Sequence, residues 1–151
     1  MLVDSLILPQ CVYRPGSFTG LMTIYESNYL KLAQIVAGLS PSSPVCESCV
    51  PDDCDLHLRI LRREPYTTTL KLTYLFVEPD GEKVLDPDLT LRIYYDARLV
   101  EAVAANPAHR HPLLKELDRP QAAEELGRRW RINMMLNKWL DYLHDMGHSF
   151  R

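Results

Sequence analysis

The stretch 89–103, LTLRIYYDARLVEAV, constrains the fold more than any other part of the chain. Leu89, Leu91, Ile93 and Tyr95 fall on one side of an extended backbone, and Thr90, Arg92, Tyr94 and Asp96 on the other. Alternation with a period of two marks a half-buried strand. Asp96 and Ala97 supply a turn, and residues 98–103 return as a partner strand. The apolar side must then cover a core. The polar side is either a solvated sheet face or the floor of a site.

The same alternation recurs upstream. In residues 55–63, Leu56, Leu58 and Ile60 face one way, His57 and Arg59 the other. Residues 64–66 form a bend, and 67–77 return with Leu70, Leu72, Tyr74 and Phe76 on one face and Thr69, Lys71, Thr73 and Leu75 on the other. Threonines and aromatics suit a pleated surface, and the short bend predicts a hairpin. Pro79, Asp80 and Gly81 form a turn. Residues 82–88 read as a connection ending at Pro87, and 45–50 as a possible short strand in a loop over 40–54.

Two helical segments bracket this block. Over 18–38, Leu21, Tyr25, Leu32, Val36 and Leu39 recur at three- and four-residue steps. Ser17 or Thr19 can cap its start, Thr23 with Glu26 has capping-box spacing, Gly38 suits its end, and Pro41 forbids continuation. The second helix is expected over 121–146. Asp118 can cap it, Pro120 suits its first turn, and Gly147 ends it. Its core side carries Ile132, Leu136, Trp139, Leu143 and Met146. The opposite side carries Trp130, Met134, Asn137, Asp141 and His144.

Helix, strands and helix, with no alternating βα units, predict the α+β class. The expected architecture is a curved antiparallel sheet of about four to five strands, flanked by an N-terminal helix and a long C-terminal helix. Pro9, Pro15 and Gly16 set residues 1–16 apart as an N-terminal arm, in which Leu6, Ile7 and Leu8 can dock or add an edge strand. Residues 17–151 form a single domain, since a chain of 151 residues suffices for one real core.

Charge argues against one class of function. A net charge of −3 and a pI near 5.9 leave no broad basic field for duplex nucleic acid. The run Arg128, Arg129 and Arg131 follows Glu124 and Glu125, which favours helix-surface ion pairs. The start, MLVDSLILPQC, lacks a basic n-region and a small-residue cleavage site, and no apolar run approaches the ~20 residues of a membrane span. A cytoplasmic protein with cysteines as thiols is the expectation. No Gly-rich phosphate loop, G-x-S-x-G elbow or H-E-x-x-H pair is present, so no cofactor is implied.

Three groups of residues invite chemistry. Arg92, Tyr94 and Asp96, with Tyr66, Thr67 and Thr68 from the neighbouring bend, can floor a small-ligand site. Glu26 and Asn28 can add an acid and an amide from the first helix. Arginine offers a bidentate fork to phosphate or carboxylate; cross-strand pairing alone also accounts for such a row. Asn28 interrupts the apolar stripe, so it either ties the helix to nearby backbone or reaches a ligand. Cys46, Cys49, Cys54 and His57 have the count for a tetrahedral metal site, but strand alternation sends Cys46 and Cys49 to opposite faces. A redox Cys46–Cys49 pair lacks the helix N-terminus that activates such thiols. His109 and His111 read as loop residues. Trp130 and Met134 either sit under the arm or a loop, or contact a partner chain or second copy.

Four blocks in order carry a family resemblance: YESNYLKL from Tyr25, EPYTTTLKL from Glu64, LRIYYDARLVEAV from Leu91, and NMMLNKWLDYLHDMGH from Asn133. Over about residues 13–148 the chain resembles the YqiB-like family of small bacterial proteins, a domain of unknown function. The resemblance implies an α+β fold and brings no activity or catalytic residue. It implies a loose tie to nucleotide metabolism, since members tend to be encoded near a nucleotide-sugar pyrophosphatase and a cyclic-nucleotide phosphodiesterase. The cysteine cluster departs from the family pattern, and the arm lies outside it. The expected function is a non-enzymatic binding or regulatory module acting through a partner or homodimer contact. The alternative is a protein that binds, or an enzyme that acts on, a nucleotide or phosphorylated metabolite at the polar sheet face.

Overall fold

The computed structural model describes residues 17–39, 43–105 and 125–150. The arm, Pro41, the loop with His109 and His111, Asp118 and Pro120 lie outside the described residues.

Helix α1 spans Phe18–Ile35. Ser17 caps it: its backbone is extended, and its Oγ accepts a hydrogen bond from the Gly20 amide at 3.1 Å. Thr19 and Thr23 lie inside the helix. The Thr23 hydroxyl donates back to the Thr19 carbonyl at 3.2 Å, so no capping box forms with Glu26. The helix stops at Ile35 because Val36 joins a parallel bridge to Phe150. Gly38 is left-handed (φ +66°) in the short turn Ala37–Leu39 that follows. The predicted stripe of Leu21, Tyr25, Leu32, Val36 and Leu39 is buried.

Five strands follow: β1 (Val45–Ser48), β2 (Asp55–Arg63), β3 (Thr67–Val77), β4 (Lys83–Tyr94) and β5 (Leu99–Ala105). Each pairs antiparallel with the next in a meander of order β1-β2-β3-β4-β5. The fold is α+β. The expected connection over 82–88 is instead the first half of β4, where Val84 pairs with Phe76 and Leu85 with Leu75. Pro87 fits because the register skips there. Leu85 faces Leu75 and Asp88 faces Thr73, which sets Asp86 and Pro87 against Tyr74 alone. A bulge is where a residue without an N–H costs no ladder hydrogen bond.

One face of the sheet is the core face. Leu56, Leu58, Leu70, Leu72, Leu89, Leu91, Ile93 and Val100 are fully buried and meet Leu32, Ile35, Leu136, Leu140 and Leu143 from the helices. The alternating pattern of β4 therefore holds: its apolar row lies under helix, and Arg92 and Tyr94 lie on the other side, half-buried.

Helix α2 spans Glu125–Met146 and is buried along two stripes. Ile132, Leu136, Trp139 and Leu143 join the sheet core. Trp130 packs with Leu21, Ile24 and Tyr25 of α1, and Met134 leans on the same cluster. Of the two readings of these residues, cover from within the chain is the one the structure shows for Trp130, and the cover is α1 rather than the arm or a loop. The indole is buried and its Nε1 donates to the Ser17 carbonyl at 2.8 Å. A Cβ on Gly20 would lie 2.7 Å from Trp130 Cζ2, so glycine is what lets α1 approach the ring. Gly147 then turns the chain in the left-handed region (φ +93°). Phe150 donates to the Ile35 carbonyl at 2.7 Å and accepts from Ala37 at 3.1 Å, which fastens the segment after α2 to the end of α1.

Candidate functional site

At the β5 edge the helices meet the sheet through polar groups. Asn133 of α2 is fully buried; its Oδ1 accepts from the Ala102 amide at 2.7 Å and its Nδ2 donates to the Ala102 carbonyl at 3.3 Å. A side-chain amide thereby pairs with the free edge of β5 as a further strand would. Asn28 donates to the Val100 carbonyl, two residues along the same edge, at 3.2 Å and to Asn133 Oδ1 at 3.3 Å. Asn137 donates to Asn28 Oδ1 at 2.9 Å and accepts from Lys31, whose ammonium also bridges to Asp141 at 2.7 Å. Of the two alternatives for Asn28, the structure shows the tie to backbone, from α1 to β5.

On the far side of the same edge lies a cleft of about 180 Å³, lined by Arg92, Glu101, Glu125, Arg128, Arg129 and neighbouring backbone. Strand register builds it. Arg92 on β4 lies opposite Glu101 on β5, and the first turns of α2 bring Arg128 and Arg129 over them. The Tyr94 hydroxyl donates to Glu101 Oε1 at 2.5 Å. Burial, then that carboxylate, raises the Tyr94 pKa, and a hydrogen bond with Tyr94 raises that of Arg92. Tyr25 is raised by burial and by Glu101. Arg129 is paired with Glu125 at 2.7 Å and approaches Glu101 at 3.7 Å. Arg128 has no carboxylate partner among the described residues. Three guanidinium groups thus face two carboxylates.

Only part of the predicted constellation assembles. Arg92 and Tyr94 lie together at the cleft. Asp96 is exposed in the turn after β4, where it accepts from the Ala97 amide at 2.9 Å. Tyr66 is exposed in the bend and Thr67 pairs with Tyr94 across the ladder. Thr68 is on the opposite face, buried, accepting from the Tyr95 hydroxyl at 2.8 Å. Glu26 is exposed on α1, and Asn28 is enclosed by the amide network. Glu101, Arg128 and Arg129 replace them. The register of the 89–103 hairpin could have pointed to Glu101; nothing local could have brought α2 to it.

The other edge holds a cluster with no counterpart in the sequence reading. His148 Nε2 lies 2.9 Å from Asp53 Oδ2 and its Nδ1 lies 3.0 Å from Ser48 Oγ. Tyr74 donates to the other Asp53 oxygen, and the Ser149 amide donates to Ser48 Oγ at 3.0 Å. Burial opposes the Asp53 charge, but hydrogen bonds from Tyr74, His148 and the Cys54 amide outweigh it and hold the pKa low. Burial and Asp53 together push Tyr74 up. Serine, histidine and aspartate in this order have the composition of a hydrolytic triad. Ser48 and His148 are buried, and the Ser48 oxygen already serves two partners. The cluster fastens the segment after α2 to β1 and the β1–β2 turn.

The cysteine set does not gather. Cys46 is half-buried against the core, while Cys49 is exposed, as alternation requires. Cys54 is raised by burial, then by Asp53 and Asp55. Among the described residues, the group of metal-type donors whose ligand atoms all lie within 4.8 Å of one another is Glu47, Asp55 and His57. Cys49 Sγ lies 3.0 Å from Glu47 Oε1, and hydrogen bonding to Glu47, then to Asp55, pushes its thiol up to about 12.

Together the meander, the two helices on one face and the polar edge define a small α+β domain with a cationic cleft. No described helix is long and apolar enough to cross a membrane. A family model described as a protein of unknown function (DUF1249) matches residues 31–149, and the chain belongs to that family. No curated protein and no solved structure matches it.

Proposed function

We propose that this protein is a non-enzymatic binding module for a small phosphorylated ligand, held at the Arg92–Arg128–Arg129 cleft. The observation that carries the reading is the charge balance there: three guanidinium groups, two carboxylates, and one of those carboxylates already bonded by Tyr94. Guanidinium groups grip phosphate oxygens in bidentate fashion, and partial enclosure strengthens the contact over one in bulk water. Size narrows the ligand. Drug-sized ligands fill ~300–1,000 Å³, whereas this cleft holds about 180 Å³. A phosphoryl group fits; a whole nucleotide would leave its base and sugar outside. The YqiB-like naming, and the nucleotide metabolism it implies, accord with such a ligand and belong to this proposal. So does a cytoplasmic location.

Thermal shift and calorimetric titration with inorganic phosphate, pyrophosphate and nucleoside monophosphates test it. Saturable binding that is lost in Arg128→Ala and Arg92→Ala, with the fold intact by circular dichroism, is the expected outcome. Equal binding by wild type and both variants would overturn it.

A second reading, contact with another copy of the chain, draws on the sheet face turned away from the helices. Val45 and Leu85 are 62 % and 47 % exposed there and line a shallow pocket with Leu75. Light scattering across a concentration series tests that reading. Association weakened by Leu85→Asp supports it, and a monomer at every concentration contradicts it.

A further inference from the structure

The β1–β2 hairpin carries donors that neither the arginine cleft nor the His148 cluster uses. Glu47 on β1 lies directly opposite His57 on β2. Asp55 is two residues before His57, so it projects from the same face. Continuing the register by one pair sets Cys49 beside Asp55. Two cross-strand pairs thus place a carboxylate, an imidazole, a second carboxylate and a thiol on one side of one hairpin.

We propose that Glu47, Cys49, Asp55 and His57 form a binding site for a divalent cation of the zinc class. Three of the ligand atoms already lie within 4.8 Å of one another. Cys49 Sγ is 3.0 Å from Glu47 Oε1. In a tetrahedral zinc site, bonds of ~2.0–2.3 Å set ligand atoms roughly 3.3–3.8 Å apart, within the span these ligand atoms already occupy. The His57 Nε2 atom supplies an independent observation. It is shielded from solvent and has no hydrogen-bond partner among the described residues. A buried ring nitrogen is ordinarily satisfied, and coordination satisfies it.

Donor chemistry selects the cation. Calcium and magnesium take oxygen ligands, whereas an imidazole and a thiolate favour zinc or its neighbours. The two carboxylates and the thiolate formed on binding offset the dipositive ion, and the thiol proton leaves to solvent. Two cations lie near the site. Arg59 lies two residues beyond His57 on the same strand, and Lys71 pairs with Asp88 at 3.4 Å. His57 also borders the shallow pocket of about 330 Å³ that Lys71, Thr73 and Asp88 line, so a bound ion would sit at its rim.

The experiment is titration of the full chain with zinc sulfate against a chromophoric chelator, followed by cobalt substitution. One equivalent should bind. Loss of an outer-shell partner alone weakens metal sites ~10–100-fold, so His57→Gln and Glu47→Gln should each weaken binding by at least that much. Glu47 is exposed and His57 half-buried, and circular dichroism checks that each variant folds. The cobalt form should show a thiolate-to-metal charge-transfer band that Cys49→Ser abolishes. Cys11, His109 and His111 are the control: Cys11→Ser with His109→Gln and His111→Gln should leave binding unchanged. Equal zinc binding by His57→Gln and wild type would overturn the proposal. So would loss of binding in the control variant, or a cobalt complex without the thiolate band.

Discussion

The Ser48–His148–Asp53 cluster and the Arg92–Arg128–Arg129 cleft lie toward opposite edges of one sheet. The first has the residue types of a hydrolase, and the second has no familiar motif. Their surroundings reverse that ranking. At the β1 edge each polar atom of Ser48, His148 and Asp53 has a partner within the chain, and Ser48 and His148 are buried. At the β5 edge the cleft is lined by more cationic than anionic groups, and Arg128 has no carboxylate partner among the described residues. Polar side chains become a site when they are held in place and still have valence to offer. When every valence is satisfied internally, they are structure.

The largest expected effects fall on the closed networks. Asn133→Ala removes four hydrogen bonds and leaves the Ala102 backbone unpaired. Buried groups left unsatisfied cost ~1–3 kcal/mol each, so chemical denaturation should show a loss of about 2–4 kcal/mol. A loss within the error of the measurement would mean that β5 does not rely on that amide.

His148→Ala should cost about 2–3 kcal/mol by the same reasoning, and Asp53→Asn about 1–2 kcal/mol at neutral pH. The second effect depends on pH with a definite sign. The Asp53 carboxyl is held below its unfolded value. Its stabilisation is therefore complete above the unfolded pKa of ~3.9 and disappears as pH falls through the folded pKa. The gap between wild type and Asp53→Asn should be present at neutral pH and close as pH falls below about 4. A gap that persists unchanged into acid would remove the charge from the account.

Ser48→Ala sharpens the comparison chemically. It should cost about 1 kcal/mol and leave activated-ester hydrolysis at the wild-type rate. Hydrolysis that depends on Ser48 and His148 would show that the β1 edge opens. The smallest change in stability belongs to the cleft. Arg128→Ala should lie within about 0.5 kcal/mol of wild type and still lose the phosphoryl ligand.

The strands were legible because their signal is local. Alternation in residues 89–95 placed Leu91 and Ile93 inside and Arg92 and Tyr94 outside, and the structure keeps that division. The first half of β4 was obscured by Pro87, which reads as a break and is accommodated by a bulge. Half of the cleft was legible for the same local reason: Arg92 and Tyr94 share a strand face. The other half depends on where α2 crosses β5, which no periodicity records. Trp130 misled because a helical wheel shows two apolar sides without saying that α1 covers the second one. Asn28, Asn133 and Asn137 show the same limit. Asn28 reads as a break in an apolar stripe, and only its meeting with Asn133 and Asn137 at one strand edge explains it.

The central claim is that the arginine cleft is open and the histidine cluster is closed. Its most direct test is a titration of wild type and Arg128→Ala with pyrophosphate, followed by amide chemical shifts. Saturable shifts centred on Arg92, Glu101 and Arg129 are expected in wild type, none in the variant, and unchanged signals for Ser48 and His148 in both. Shifts centred on Ser48 and His148, or equal shifts in the variant, would contradict it.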